Sequence, residues 1–167
     1  VNASEHEDLF WGLQGGGGNF GLITAFEYRL HPVAQVLGGF LVYPLAQAKG
    51  LLTFLRAYLP TTPANLTVLL VFMTAPADPR LPPAVQNTVV VVPAVCYTGS
   101  LPEGDKVLRP LRTFGTPAAD VIGPMPYLTL QALFDAMEPP GFHRYWKSAY
   151  VPELSEGVID ALIEGAA

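Results

Sequence analysis

Residues 15–21 read Gly-Gly-Gly-Gly-Asn-Phe-Gly. Four glycines in a row are entropically expensive to order, so such a run serves a backbone that turns sharply or lets another group come close. From Gly16 the run also satisfies G-x-G-x-x-G, whose phosphate-binding mechanism needs a strand before it and a helix after it. The flanks have the opposite order. Ser4 and Glu7 stand at capping-box spacing ahead of Asp8–Leu13, which predicts a short helix. After the glycines, Phe20, Leu22, Phe26, Tyr28 and Leu30 share one face while Glu27 and Arg29 take the other, which predicts a strand. A helix feeding glycines that feed a strand cannot aim a helix N-terminus at a pyrophosphate, so the dinucleotide fingerprint is excluded. Two readings stay open. The run is a tight helix-to-strand connection, or it is a bare backbone surface on which a flat or phosphorylated cofactor lies.

Downstream, His31-Pro32 ends the first predicted strand. Val36–Tyr43 reads as a strand apolar on both faces, and Pro44 opens a helix that runs through Tyr58 to Pro60. Leu66–Met73 reads as a buried strand. Residues 74–86 hold four prolines and read as a loop. Asn87–Tyr97 is a strand in which Pro93 suggests an edge or a bulge. Pro102–Thr113 is helical, Ala118–Ile122 a short strand, Leu128–Met137 a short helix closed by Pro139-Pro140-Gly141, and Phe142–Val151 a strand. A last helix begins at Pro152, with Leu154, Val158, Ile159, Leu162 and Ile163 forming its apolar side. From residue 36 this order approximates the split β-α-β-β-α-β plan, an α+β fold with an antiparallel sheet and helices packed on one face. A boundary is expected near residues 32–36, dividing a short leading part (1–34) from an α+β module (35–167).

Composition narrows the partners. With 167 residues there is one domain's worth of core. A formal charge of −5 with no Lys/Arg cluster excludes a nucleic-acid ligand. The apolar runs are too short to span a bilayer, so no membrane partner is expected. Half of the residues are hydrophobic and 14% are charged, which implies that a partner, a homodimer contact or a further domain covers part of the surface. The single cysteine, Cys96, excludes an internal disulfide framework and reads as a buried structural thiol. His6, His31 and His143 have no metal-ligand spacing, and no nucleophile–base motif is present. His6 is expected to be solvated, and His31 to cap a strand end. One segment stands out, Arg144-Tyr145-Trp146-Lys147-Ser148-Ala149-Tyr150. A lysine inside an aromatic strand is costly to desolvate unless it is paired or near water. It is either a snorkelling edge lysine or part of a ligand-facing surface.

The stretch Glu7–Thr24, continuing to Leu30-His31-Pro32-Val33, resembles a segment of the FAD-linked oxidases of the berberine-bridge-enzyme type, in the vanillyl-alcohol-oxidase superfamily with its PCMH-type FAD-binding domain. Pro110-Leu111-Arg112, Met125-Pro126-Tyr127, Leu130-Gln131 and Tyr145-Trp146-Lys147-Ser148 resemble bacterial members of the same family. The resemblance implies a flavin-dependent oxidoreductase in which an upstream domain binds FAD, commonly through a covalent histidine link. A substrate domain covers the flavin ring. It implies that Gly18, Gly21, Leu22 and Ile23 contact FAD and that Tyr127, Tyr145 and Lys147 lie on the side of a small-molecule substrate. Residues 1–34 would then be the C-terminal remnant of the FAD-binding domain.

The attachment motif of that family is not in this sequence. The chain is therefore expected to be a middle part of an oxidase, with its natural N-terminus and any targeting segment missing and its compartment open between cytoplasm and secretion. It is not expected to hold FAD tightly alone, and its partner would be the missing FAD-binding domain. The alternative is a non-catalytic α+β binding or dimerisation module derived from the substrate domain.

Overall fold

The computed structural model describes all residues except Arg80, residues 136–139, Phe142 and Arg144. The chain divides into two compact units, Val1–Pro32 and Val33–Ala167.

In the first unit, helix α1 spans Glu7–Leu13 and a 3₁₀ turn spans Gly17–Phe20. The capping box does not form. His6, in a left-handed conformation (φ 57°), stands at the helix N-cap without a side-chain bond, while the Asn2 side chain accepts the Ser4 N–H at 2.9 Å. A tight Asn2–Glu5 turn, closed by backbone bonds in both directions, has taken Ser4 out of capping position. The strand expected after the glycines does not pair. Residues 21–34 carry no ladder among the described residues, and extended backbone becomes a strand only when another strand pairs with it. They are not helical either. Phe26 and Tyr28 stack at 5.4 Å between ring centroids, as side chains two apart do on extended backbone.

The second unit is built on a five-stranded antiparallel sheet. Strand β1 (Gln35–Pro44) is followed by helix α2 (Ala48–Tyr58), strands β2 (Leu66–Thr74) and β3 (Val89–Tyr97), and helix α3 (Leu101–Arg112). Short strands β4 (Ala119–Asp120) and β5 (Gly123–Pro126), helix α4 (Tyr127–Gln131) and helix α5 (Glu156–Ala166) complete it. The spatial order β2-β3-β1-β4 is that of the split β-α-β-β-α-β plan. Both β4 and β5 pair with β1, β4 at Leu41 and Val42 and β5 at Gln35–Gly38. They act as one edge strand broken at Val121 and Ile122. The sequence pattern shows one strand there because two prolines and a glycine in 123–126 hide the second.

Helices α2, α3 and α5 cover one face. Leu37, Leu41, Tyr43, Val91, Val95 and Tyr97 of the sheet pack against Leu51, Leu52, Leu55, Leu108, Leu111 and Ile159. Each buried Leu or Ile contributes on the order of 1.5–3 kcal/mol. Tyr43 is fully buried, and its hydroxyl donates to the carbonyls of Leu111 (3.0 Å) and Phe114 (3.1 Å), where α3 ends. Burial, with the nearby Asp120 carboxylate second, pushes its hydroxyl from the ordinary 10 up to about 12. Exposed ion pairs Lys49–Asp160 and Arg56–Glu156, both 2.7 Å, join α2 to α5 and add little.

Pro93 is not at an edge. Strand β3 is central, pairing with β2 through Leu70↔Pro93 and with β1 on either side of Pro93 and Val92 but not opposite them. The missing N–H is accommodated by that gap in the ladder. Strand β2 is one edge of the sheet, half-buried along its length except at the exposed Thr67, Leu69 and Thr74. Helix α5 starts four residues later than Pro152 suggests, at the Ser155 cap that accepts the Val158 N–H at 3.4 Å. The strand expected at Phe142–Val151 is not formed. Residues 145–150 are exposed and have no sheet partner, while Phe142 and Arg144 lie outside the described residues, as does the expected end of the 128–137 helix.

Replacing Tyr43 by Phe removes the donor that the Leu111 and Phe114 carbonyls share and leaves Leu111 the long Phe114 N–H bond at 3.3 Å, an expected loss of about 1–2 kcal/mol in urea unfolding. The hydroxyl's folded pKa lies above its unfolded one, so its contribution is complete below pH 10 and is lost as pH rises toward about 12. Wild-type stability should fall across that window, and the fall should be shallower in Tyr43→Phe.

Candidate functional site

Among the described residues, no long helix covers the second face of the sheet. Strand parity places Phe40 and Val42 of β1, Val71 and Met73 of β2, and Val90, Val92, Ala94 and Cys96 of β3 on this side. Part of it is roofed by the 75–88 loop, whose Ala75 and Val85 form a second apolar cluster with Val42, Val90 and Val92. The loop is tied down. Ala75 and Asn87 exchange backbone bonds across its base with Thr88 and Ala75, and the Gln86 amide donates to the carbonyls of Asp78 and Leu81.

Beside this roof lies an open cleft of about 460 Å³. Its floor is Phe40, Val42, Val90 and Val92, with Met73 towards the β2 side and Val121 and Met125 on the broken edge strand. Leu133 and Phe134 add to its wall, and Asp78 is the ionisable group among its described lining residues. This volume falls in the range of small-molecule sites.

Gly39 sets the far wall. It has φ 130°, and a Cβ there would run into the Val121 carbonyl and the Ile122 backbone. Only glycine lets the broken strand approach so closely, with Val121 N–H donating to the Phe40 carbonyl at 3.0 Å. At the break, Ile122 turns into the helix-side core while Val121 lines the cleft, and the Asp120 carboxylate accepts the Ile122 N–H at 3.0 Å. Arg112 holds Asp120 from α3 at 2.7 Å.

The residues singled out from sequence fall into separate places. Gly18, Gly21, Leu22 and Ile23 belong to the first unit. There, Gly16 is forced by packing, since a side chain would strike the Gly12 carbonyl and the Phe20 ring, and Gly21 is forced by φ 121°. Gly18 is under neither constraint: its φ is ordinary and a Cβ would meet open space. Leu22 is 91% exposed. Among the described residues, no backbone hydrogen bond engages 21–33. Bare backbone at Gly18, free amides and exposed apolar side chains are features that fit a flat, polar-edged group such as FAD.

In the second unit, Tyr127 opens α4, next to the cleft residue Met125, and its N–H donates to the Ala34 carbonyl at 3.2 Å. Tyr145 and Lys147 lie on the exposed stretch, with Lys147 Nζ 5.7 Å from the Tyr145 ring centroid. The structure brings those two together but pairs neither with Tyr127 through a hydrogen bond or ring contact among the described residues. Cys96 is half-buried rather than buried as expected, because it lies on the incompletely covered second face, and desolvation pushes its thiol pKa up. Among the described residues there is no metal-binding cluster and no helix long and apolar enough to cross a membrane. Sequence reasoning missed the cleft itself. Its signal was the two-sided apolar character of Val36–Tyr43 and Val89–Val95, which one layer of helices cannot explain.

This α+β sheet with one open apolar face is the substrate-domain-like fold of FAD oxidases, and the chain's homologues are FAD-linked oxidoreductases. It is 30% identical over 165 residues to an FAD-linked oxidoreductase of Dictyostelium discoideum, covering 98% of this chain and 34% of that protein. It is 32% identical over 130 residues to the FAD-linked oxidoreductase OXR2 of Pyricularia oryzae, covering 76% of this chain and 24% of that protein. The structure resembles 6-hydroxy-D-nicotine oxidase from Arthrobacter nicotinovorans with a TM-score of 0.64 at 25% identity, over 84% of this chain and 30% of that one. No protein-family profile matches the chain. The chain thus spans about a third of the length of the first of these relatives.

Gly39→Ala is expected to cost about 1–3 kcal/mol, through strain at positive φ and displacement of the Val121 wall. Chemical unfolding measures the loss. Gly123→Ala, where a Cβ meets open space on the same edge strand, serves as the mild comparison.

Proposed function

We propose that this chain is the central part of a flavin-dependent oxidoreductase that oxidises a small molecule. On this reading residues 1–34 are the end of an FAD-binding domain and residues 35–167 the substrate-facing module. The observation that carries it is the sheet's second face, apolar and only partly roofed, in a chain homologous to FAD-linked oxidoreductases. Such a face suits a sheet that closes over a bound cofactor and excludes water from it. Bound FAD would supply a hydride acceptor for a hydroxyl- or amine-bearing carbon, with reoxidation by oxygen.

The chain's own contribution is binding and orientation. Backbone at Gly18 and Gly21, with Leu22 and Ile23, would lie along the cofactor. Phe40, Val92 and Met125 would hold the substrate's apolar body, with Tyr127 beside Met125, while Tyr145 and Lys147 would present a hydroxyl and a cation towards the substrate. The further partner is the rest of the FAD-binding domain, without which these residues alone would not retain FAD.

The test uses the complete reading frame that encodes these 167 residues, expressed beside the chain alone. The complete protein should purify yellow with stoichiometric flavin and consume oxygen with its substrate, and the chain alone should elute colourless after incubation with FAD. In the complete protein, Gly18→Val should lower flavin occupancy without lowering the unfolding temperature of the apoprotein. A colourless complete protein that does not take up FAD would overturn the proposal.

A further inference from the structure

The cleft's chemistry narrows what it can hold. Its floor is made of strand side chains, Phe40, Val42, Val90 and Val92, none of which donates or accepts a hydrogen bond. A hydroxyl-rich ligand laid on that floor would lose water and gain no partner, which disfavours sugars. The polar group of the described lining, Asp78, is on the 75–88 loop rather than on the sheet, so polarity is confined to the roof side.

The walls favour a flat ring over a flexible chain. Floor and walls together carry two phenyl rings, Phe40 and Phe134, and two thioethers, Met73 and Met125. Thioethers are polarisable, adapt their shape and make favourable contacts with aromatic ring edges, and phenyl groups stack on or abut planar systems. A volume of about 460 Å³ accommodates more than one fused ring.

We infer that the cleft between the second sheet face and the 75–88 loop binds an uncharged fused-ring aromatic compound, with its ring on the Phe40–Val92 floor and its polar substituent at the roof. That this ligand is the substrate rests on the oxidoreductase reading, whereas the ligand class rests on the cleft alone.

The methionines provide the measurement. The chain has three, and two of them, Met73 and Met125, line the cleft. With methionine methyl groups labelled by ¹³C, titration of the 167-residue chain with 2-naphthol should shift the Met73 and Met125 signals saturably, and cellobiose should leave them unmoved. Val121 is 48% exposed, so Val121→Glu is tolerated by the fold. By setting a carboxylate in the apolar wall it should weaken 2-naphthol binding at least about tenfold. Unmoved Met73 and Met125 signals with 2-naphthol, or equal binding of cellobiose, would overturn the assignment. Flavin retention by the complete protein reads the oxidase proposal separately. A chain that binds 2-naphthol within a protein that never takes up FAD sinks that proposal and leaves the ligand class standing. A flavin-loaded protein whose chain ignores 2-naphthol does the reverse.

Discussion

Strand β1 has to be buried on both sides, and the rest of the second unit follows from that. Leu37, Leu41 and Tyr43 point into the helix-side core, and Val36 and Val42 point the other way, all at most 3% exposed. It pairs with β3 along one edge and with β4 and β5 along the other. A strand so placed needs a layer on each face. Helices α2, α3 and α5 supply one. The 75–88 loop supplies only part of the second, and what it leaves uncovered is the cleft. The candidate site is therefore the unfinished half of the burial that β1 demands.

The fold was legible because its strongest signals are local and periodic. The leucines of α2, the continuous valines of β3 and the Pro44 and Pro60 boundaries gave elements close to those observed, and their order gave the split β-α-β-β-α-β sheet. Departures came where an element needs a partner from elsewhere. Residues 21–34 and 145–150 have strand-like alternation, but a strand exists only when another lies beside it, and none does so among the described residues. Pro93 misled in the opposite sense. A proline argues for an edge only if its missing N–H must be paired, and here the ladder to β1 skips that point.

The candidate site was less legible. The glycines at 15–21 could be found from sequence, but their separate duties could not. Gly16 makes room for the Phe20 ring, Gly21 takes a positive φ of 121°, and Gly18 is constrained by nothing among the described residues. The cleft gathers residues from β1, β2, the 75–88 loop, β3, β4, the edge-strand break, β5 and the segment after α4, spread from Gly39 to Phe134. No spacing rule connects them. Homology supplied the class of chemistry, and the coordinates supplied the surface on which to look for it.

Val121 and Ile122 are neighbours in the chain but belong to different interiors, one to the cleft and one to the helix-side core. A single peptide link thus joins the cleft wall to the helix-side core, with Arg112 and Asp120 clamping it from α3. The wall cannot drift without dragging a core side chain out of its socket. The cleft therefore has a fixed boundary on that side, set by the helix-side core rather than by the cleft's own lining.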